Sequence, residues 1–440
     1  MSDLFHEQLQ QLRAQALHRK LREIGTAQGP EVQIVGRQLV NFSSNDYLGL
    51  ANDPLLREAA TAAVAEFGVG AGASRLISGT QSPHVRLEAA LAKWKGTQGA
   101  LCFSSGYAAA IGTLPALAGK HDVVLIDKLC HASLIDGAKL SGATLRVFPH
   151  HHLGKLESHL EWARREHPGS RIVIATESVF SMDGDRTPLR ELVHLKKRFG
   201  ALLLLDEAHA TGVIGTNGRG LAAEEGLSRH VDVQMGTLGK ALGVSGGYIC
   251  GSHSLVDWLI NRARSFVFST APPPAFAAAA TAAVEFLASD AGEERRLLLW
   301  KRIDALRAEL SKLEHSDVPP AAAPPSAIGN VLKSSRLRDF LRRVRIDAGR
   351  DSGEAQKQSA NLPQTGSAIH PLMVGDEEAA ISLSRALQTE GFLIPAIRYP
   401  TVAKGAARLR ITVTAAHEEA QIRRLAQALN QQSSKLTKTV

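Results

Sequence analysis

Cysteine is scarce in this chain. Its 440 residues hold only Cys102, Cys130 and Cys250, widely spaced and set in apolar or glycine-flanked surroundings. An odd, scattered set argues against a disulfide framework or a zinc knuckle and fits a reducing compartment. No apolar run reaches the roughly 18 residues that span a bilayer, so no membrane span is expected. The opening MSDLFHEQLQQLRAQ lacks the charged-then-apolar layout of a secretory signal, and a cytoplasmic protein is expected. One basic cluster, KSSRLRDFLRRVR (333–345), has no interleaved aromatics and no helix-turn-helix or zinc pattern beside it, which excludes nucleic acid as an expected partner. A phosphate loop is missing too. The glycine-rich stretch GTLGKALGVSGG (236–247) is flanked by Gln234 and contains Ala241, where that loop needs Gly and Ser or Thr. It also fails as a dinucleotide fingerprint, because the acid at a suitable distance, Asp257, falls in an apparent helix.

What is present is an ordinary globular composition, 44% hydrophobic and 21% charged, long enough for two domains. The net charge of +8 suits a soluble basic protein and would steer in an acidic substrate or carrier. Residues 3–24 read as an amphipathic helix with Leu4, Phe5, Leu9, Leu12, Leu17, Leu21 and Ile24 on one face. From about residue 54, short apolar strands (GALCF, DVVLID, ATLRVF, RIVIAT, ALLLLD) alternate with helical segments. That alternation implies βαβ units and an α/β fold with a mostly parallel sheet covered on both faces. Beyond about residue 290 a smaller α+β domain is expected. It contains a long helix over 291–314, a polar linker-like loop at 346–366, the strand-like SAIHPLMVG and a helix over 376–390. The expected divisions are an amino-terminal segment 1–45, a large domain 46–290 and a small domain 291–440.

Ligands of open α/β sheets bind beyond the carboxyl ends of the strands. There the sequence puts Asp206 after ALLLL, with His209 three residues on, and Glu177, Ser178 and Ser181 at and after the end of RIVIAT. SSGY after GALCF starts a helix near Gly106, and Thr237 stands three residues before Lys240. Each alone reads as a cap, a turn or a satisfied core residue. Together they supply an acid, a histidine, a lysine, hydroxyls and a helix N-terminus suited to phosphate. Pyridoxal phosphate needs that set: a lysine for a Schiff base, an anion at the pyridine nitrogen and donors for the phosphate. Lys240 is then the anchor, Asp206 the pyridinium partner and His209 the partner of the phenolic oxygen. Gly106, Tyr107 and Thr237 hold the phosphate. A partly desolvated lysine near a cationic cofactor loses basicity and can serve as nucleophile and proton carrier.

The chain resembles the α-oxoamine synthases, a branch of the fold-type I pyridoxal-phosphate enzymes. The resemblance is carried, in order, by NFSSNDYLGL (41–50), GAGASRLISGT (70–80), HASLIDGA (131–138), ESVFSMDGD (177–185), LLDEAHATGVIGTNGRG (204–220), GTLGKALGVSGG and YPTVAKGAARLRITVTAAH (399–417). It implies that Lys240 carries the cofactor, that Asp206 and His209 contact its ring, and that His131 stacks on the ring face. It adds Ser181 to the cofactor contacts Gly106, Tyr107 and Thr237. Asn45 and Arg410 would receive the amino-acid carboxylate. Thr401 and Arg19 would contact substrate, with Arg19 preferred over Arg22. Ser269 and Thr270 would reach the phosphate of a neighbouring subunit in a homodimer. The implied reaction condenses L-alanine with a pimeloyl thioester, on coenzyme A or acyl carrier protein, with loss of carbon dioxide and thiol, as in biotin synthesis. The alternative is a sibling using glycine or serine with another acyl-CoA; a non-catalytic member of the fold is the contrasting class, against which Lys240, Asp206 and His209 all stand. Two stretches depart from the family pattern. Residues 334–366 are longer and more polar, and PHHHLG (149–154) stands where an acidic or Asn-containing turn is usual. The three histidines read as a surface turn and no metal is expected, since neighbours on a regular element cannot all face one ion and no fourth ligand is evident.

Overall fold

The computed structural model describes residues 2–315 and 366–438. The expected loop at 346–366 lies outside the described residues except for Gly366. Two compact units emerge: Asn45–Leu299 with Gly366–Ala368, and Met1–Ser44 with Trp300–Thr365 and Ile369–Val440. The first 44 residues thus cluster with the carboxyl-terminal part rather than standing apart. One division falls inside the helix Asp290–His315.

Two short strands come first in the chain, β1 (Glu31–Ile34) and β2 (Arg37–Asn41), and belong to the smaller unit. The larger unit is built on seven more: β3 (Gly99–Phe103), β4 (Val123–Asp127), β5 (Thr144–Phe148), β6 (Ile172–Glu177), β7 (Leu202–Asp206), β8 (Val233–Thr237) and β9 (Gly247–Gly251). Their order is β3-β9-β8-β7-β6-β4-β5. Strands β8, β7, β6, β4 and β5 run parallel, and only β9 runs against its neighbours β3 and β8. The fold is the mostly parallel α/β sheet that the strand spacing implies. Val123 to Ile126 of β4 and Leu203 to Leu205 of β7 are fully buried, as unbroken apolar runs must be when helices cover both faces. The helices Gly106–Leu117 and Ala132–Leu140 supply Ala109, Leu114 and Ala138 to a core shared with Ile126, Val173 and Leu204.

This topology aligns the strand ends. Phe103, Asp127, Phe148, Glu177, Asp206 and Thr237 all close their strands at one edge of the sheet. The glycine-rich stretch is the hairpin joining β8 to β9 at that edge. A Cβ at Gly247 would sit 2.5 Å from the Ser105 carbonyl oxygen and 2.6 Å from the Gly106 nitrogen. Glycine is what lets the hairpin press against the start of the helix Gly106–Leu117.

In the smaller unit β1, β2 and the short β11 (Phe392–Leu393) form one sheet. A second sheet orders β10 (Ile369–Gly375), β13 (Ala407–Thr412) and β12 (Ala396–Ile397). The helices Glu377–Thr389 and Glu419–Lys438 complete an α+β arrangement. The helix expected over 3–24 is shorter: it spans Ser2–Ala14. Ala16 takes φ +56°, and the Leu17 and His18 N–H groups turn back onto the Leu12 carbonyl, closing the helix. Ile24 then packs against Val32, Ile34, Leu39 and Leu393. Of the apolar residues past this turn, Ile24 packs on the sheet, while Leu21 is fully exposed.

Candidate active site

The carboxyl edge of the larger unit's sheet gathers the chemistry. Glu177 and Asp206 stand opposite each other in the β6–β7 register, 3% and 5% exposed. Burial pushes the Glu177 carboxyl up to about 8, and the charge of Asp206 adds to the rise; Lys240 and the N–H groups of His131 and Ser181 act against it. Asp206 is raised as well, by burial, while Lys240, the Ala208 N–H and His131 pull it down. Lys240 offsets this only in part, so two buried acids side by side still favour a further cation. A protonated ring nitrogen set against Asp206 is such a cation, so the pair fits pyridoxal phosphate.

The rest of the edge fits the same group. Ser105 caps the helix Gly106–Leu117, its side chain accepting the Ala108 N–H at 3.0 Å. First-turn N–H groups at such a terminus suit a phosphate. Gly106 lies against Thr237, whose side chain would be 3.5 Å from a Cβ placed there. The Thr237 hydroxyl donates to the Gly246 carbonyl at 2.9 Å and accepts the Gly239 N–H at 3.1 Å, which ties the hairpin carrying Lys240 to the strand end. Tyr107 is exposed, and its hydroxyl donates to Asp136 at 2.8 Å.

His131 begins the helix Ala132–Leu140. Its N–H donates to Glu177 at 2.5 Å, and its Nδ1 accepts the Ser133 N–H at 3.3 Å. An accepting Nδ1 leaves the proton on Nε2 in the neutral ring. Burial, together with Lys240, holds this histidine below its ordinary range, against the opposing pull of Asp206 and Asp136.

Lys240 sits at the end of a hydrogen-bonded line. Its Nζ is 2.9 Å from His209 Nε2; His209 Nδ1 is 2.7 Å from the Tyr47 hydroxyl; that hydroxyl donates to Asn45 Oδ1 at 3.2 Å. One proton arrangement satisfies all three contacts: Lys240 donates to Nε2, Nδ1–H donates to Tyr47, and Tyr47 donates to Asn45. Tyr47 is 1% exposed and His209 5%. Removing the hydroxyl by Tyr47→Phe takes this partner from a buried ring nitrogen, at a cost of about 1–3 kcal/mol. The expected result is a lower thermal midpoint and an altered pH profile of turnover, because the tautomer of His209 is no longer set.

The other expected substrate residues lie in the smaller unit. Arg19 approaches the Thr401 hydroxyl and the Tyr399 carbonyl, each at 3.4 Å. A groove of about 450 Å³ lined by Leu9, Leu12, Leu17, His18, Arg19, Tyr399 and Pro400 adjoins them. Arg410 is buried on β13. In the larger unit Thr270, next to Ser269, makes an isolated bridge with Ser74.

Sequence reasoning gave no role to Tyr47 or to the Glu177–Asp206 pairing. Tyr47 stands two residues after Asn45 in a motif already singled out, but its partner His209 is 162 residues away and no spacing rule joins them. Glu177 was visible as a polar strand end; only the register shows which acid it faces.

A family model described as aminotransferase class I and II matches residues 37–328 and 351–429. A Geobacter sulfurreducens protein named 8-amino-7-oxononanoate synthase is 44% identical over 423 residues, covering 96% of each chain. An Anaeromyxobacter dehalogenans protein of the same name is 43% identical over 420 residues, 96% of this chain and 93% of that one. Among solved structures, a serine palmitoyltransferase from S. paucimobilis with bound PLP and myriocin superposes with a TM-score of 0.83 at 27% identity, covering 99% and 98% of the two chains. An 8-amino-7-oxononanoate synthase from Francisella tularensis gives 0.65 at 26%, covering 90% and 98%.

Proposed function

The chain belongs to the 8-amino-7-oxononanoate synthase family within the class I and II aminotransferases, a pyridoxal-phosphate-dependent acyltransferase of biotin synthesis, and from that premise we propose that it joins L-alanine to a pimeloyl thioester, giving 8-amino-7-oxononanoate, carbon dioxide and free thiol. The observation that supports this most is the line Asn45–Tyr47–His209–Lys240 ending beside the buried Glu177–Asp206 pair. A lysine, a ring partner and a buried acid stand together at one sheet edge.

Pyridoxal phosphate, when bound, supplies an electron sink for negative charge at the carbon beside the amino nitrogen. Lys240 would hold it, with Asp206 at the ring nitrogen, His209 at the phenolic oxygen and His131 against the ring face. Gly106, Tyr107, Ser181 and Thr237 would hold the phosphate and the flank of the ring. Once the amino acid is in place, Lys240 Nζ takes the proton from Cα and later returns one to the same carbon. His209 Nε2, 2.9 Å from Nζ, is the nitrogen that would face the phenolic oxygen once the cofactor is held. Asn45 and Arg410 would receive the amino-acid carboxylate, and Arg19 and Thr401 the acyl substrate. These roles follow the motifs that carry them. A net charge of +8 favours either acidic carrier, coenzyme A or acyl carrier protein. Ser269 and Thr270 would complete the phosphate site of a second subunit in a homodimer. Among the described residues no helix is long and apolar enough to cross a membrane.

The test is the visible spectrum of the cofactor-loaded protein with alanine, glycine or serine added separately, followed by thiol release from pimeloyl-CoA. A shift with alanine and thiol release with the pimeloyl donor are the expected results. Preference for glycine or serine with another acyl-CoA would overturn the substrate assignment while leaving the chemistry.

A further inference from the structure

The histidines of PHHHLG do not behave as an ordinary surface turn. His151 adopts φ +57°, and this left-handed kink puts the rings of His150 and His151 on the same side, stacked with centroids 3.8 Å apart. The objection that neighbouring residues face apart holds for a regular strand or helix and lapses here. Phe180 packs its ring edge-on against both, with centroids 4.4 and 5.4 Å away. Both histidines reach one carboxylate: His150 Nε2 is 2.7 Å and His151 Nε2 3.3 Å from Asp185 Oδ2. The His151 contact lacks hydrogen-bond geometry, so its buried Nε2 has no hydrogen-bond partner, and neither has the buried Asp185 Oδ1. Buried polar atoms without a protein partner take one from a water or an ion.

A supporting layer is in place. Asp127, 2% exposed, takes His150 Nδ1 at 3.0 Å and the His151 N–H at 3.1 Å. With Asp127 on Nδ1, the arrangement usual behind metal-bound histidines, His150 would offer Nε2 to a metal once that nitrogen gives up the proton it shares with Asp185.

We propose that His150, His151 and Asp185 form a site for one divalent cation of the zinc type. The three donor atoms already lie within 4.8 Å of one another. Zinc takes imidazole nitrogen and carboxylate oxygen at roughly 2.0–2.2 Å, so the side chains would turn to close on the ion. Two nitrogens and one oxygen suit a borderline ion over calcium or magnesium. Three protein ligands leave the fourth position to water, and the ion would tie the turn after β5 to the loop after β6, where Ser181 stands four residues before Asp185. No step of the acyl transfer passes through it.

Equilibrium dialysis of the tag-free, cofactor-loaded protein against micromolar free zinc, read as metal per chain, tests this. The wild type and His152→Gln, whose ring instead caps the helix Leu153–Glu166, are expected to hold one zinc each. His151→Gln and Asp185→Asn should each bind at least ~10-fold more weakly, and Asp127→Asn about 10–100-fold more weakly, with wild-type cofactor absorbance showing that the variants fold. If one variant fails to fold, the other decides. A wild type that binds no stoichiometric zinc, or a folded His151→Gln or Asp185→Asn that binds as the wild type does, overturns the site.

Discussion

Replacing Lys240 with alanine should abolish the absorbance of the lysine–cofactor Schiff base and lower kcat/KM by at least ~10⁴-fold, the scale set by losing an activated nucleophile together with a proton carrier. The amine does two jobs in the proposed reaction, and no other group at the strand ends replaces it: His209 touches it through Nε2 but is committed to Tyr47 through Nδ1. The arginine variant separates the chemical role from a merely electrostatic one. Lys240→Arg keeps the positive charge beside Glu177 and Asp206 yet cannot hold the cofactor covalently or pass a proton near neutral pH. Both variants should lack the absorbance of the lysine–cofactor bond and be inactive. An active, coloured Lys240→Ala would overturn the mechanism, and an active Lys240→Arg would reduce the lysine to a charge.

The second large effect is on stability. Glu207, between the two expected cofactor residues of DEAH, faces away from that chemistry and pairs with Lys95, the two side chains 0% and 1% exposed. Lys95 also donates to the Arg219 carbonyl, and Glu207 accepts the Ala222 N–H at 3.0 Å. Gly220, at φ +104°, completes the fit, since any Cβ there would overlap the Glu207 carboxylate. Glu207→Gln leaves an ammonium buried without its counter-charge, which should destabilise the protein by about 3–5 kcal/mol. Chemical or thermal unfolding of the cofactor-loaded protein measures this. A double replacement, Lys95→Met with Glu207→Leu, should recover a large part of the loss, because it removes both charges. A single variant within about 1 kcal/mol of the wild type would mean that water reaches Lys95.

These two cases show what the sequence makes legible. Asp206, His209 and Lys240 could be placed because each follows an unbroken apolar strand or stands in the glycine-rich turn, and parallel strands bring their ends to one edge. Glu207 could not be separated from them by pattern, since its partner lies 112 residues earlier and only the packed sheet brings the two together. The same limit hid Tyr47, whose meaning depends on His209. The amino-terminal helix ends before its apolar spacing does, because the backbone turns at Ala16 while apolar residues continue past Ala14. His150 and His151 were set aside on the geometry of regular elements, and a single left-handed residue changes that geometry.

The smaller unit draws on both ends of the chain. Strand β2 has β11 as its parallel partner, and the Ser43 hydroxyl donates to the Leu393 carbonyl across 350 residues. During synthesis, the first strands must therefore wait until almost the whole polypeptide has left the ribosome before that edge is paired. The larger unit, whose sheet is finished by residue 251, has all its strands long before. Folding is staged by the order of translation, with the cofactor-binding sheet available first and the segment bearing Arg19 gaining its sheet partner last.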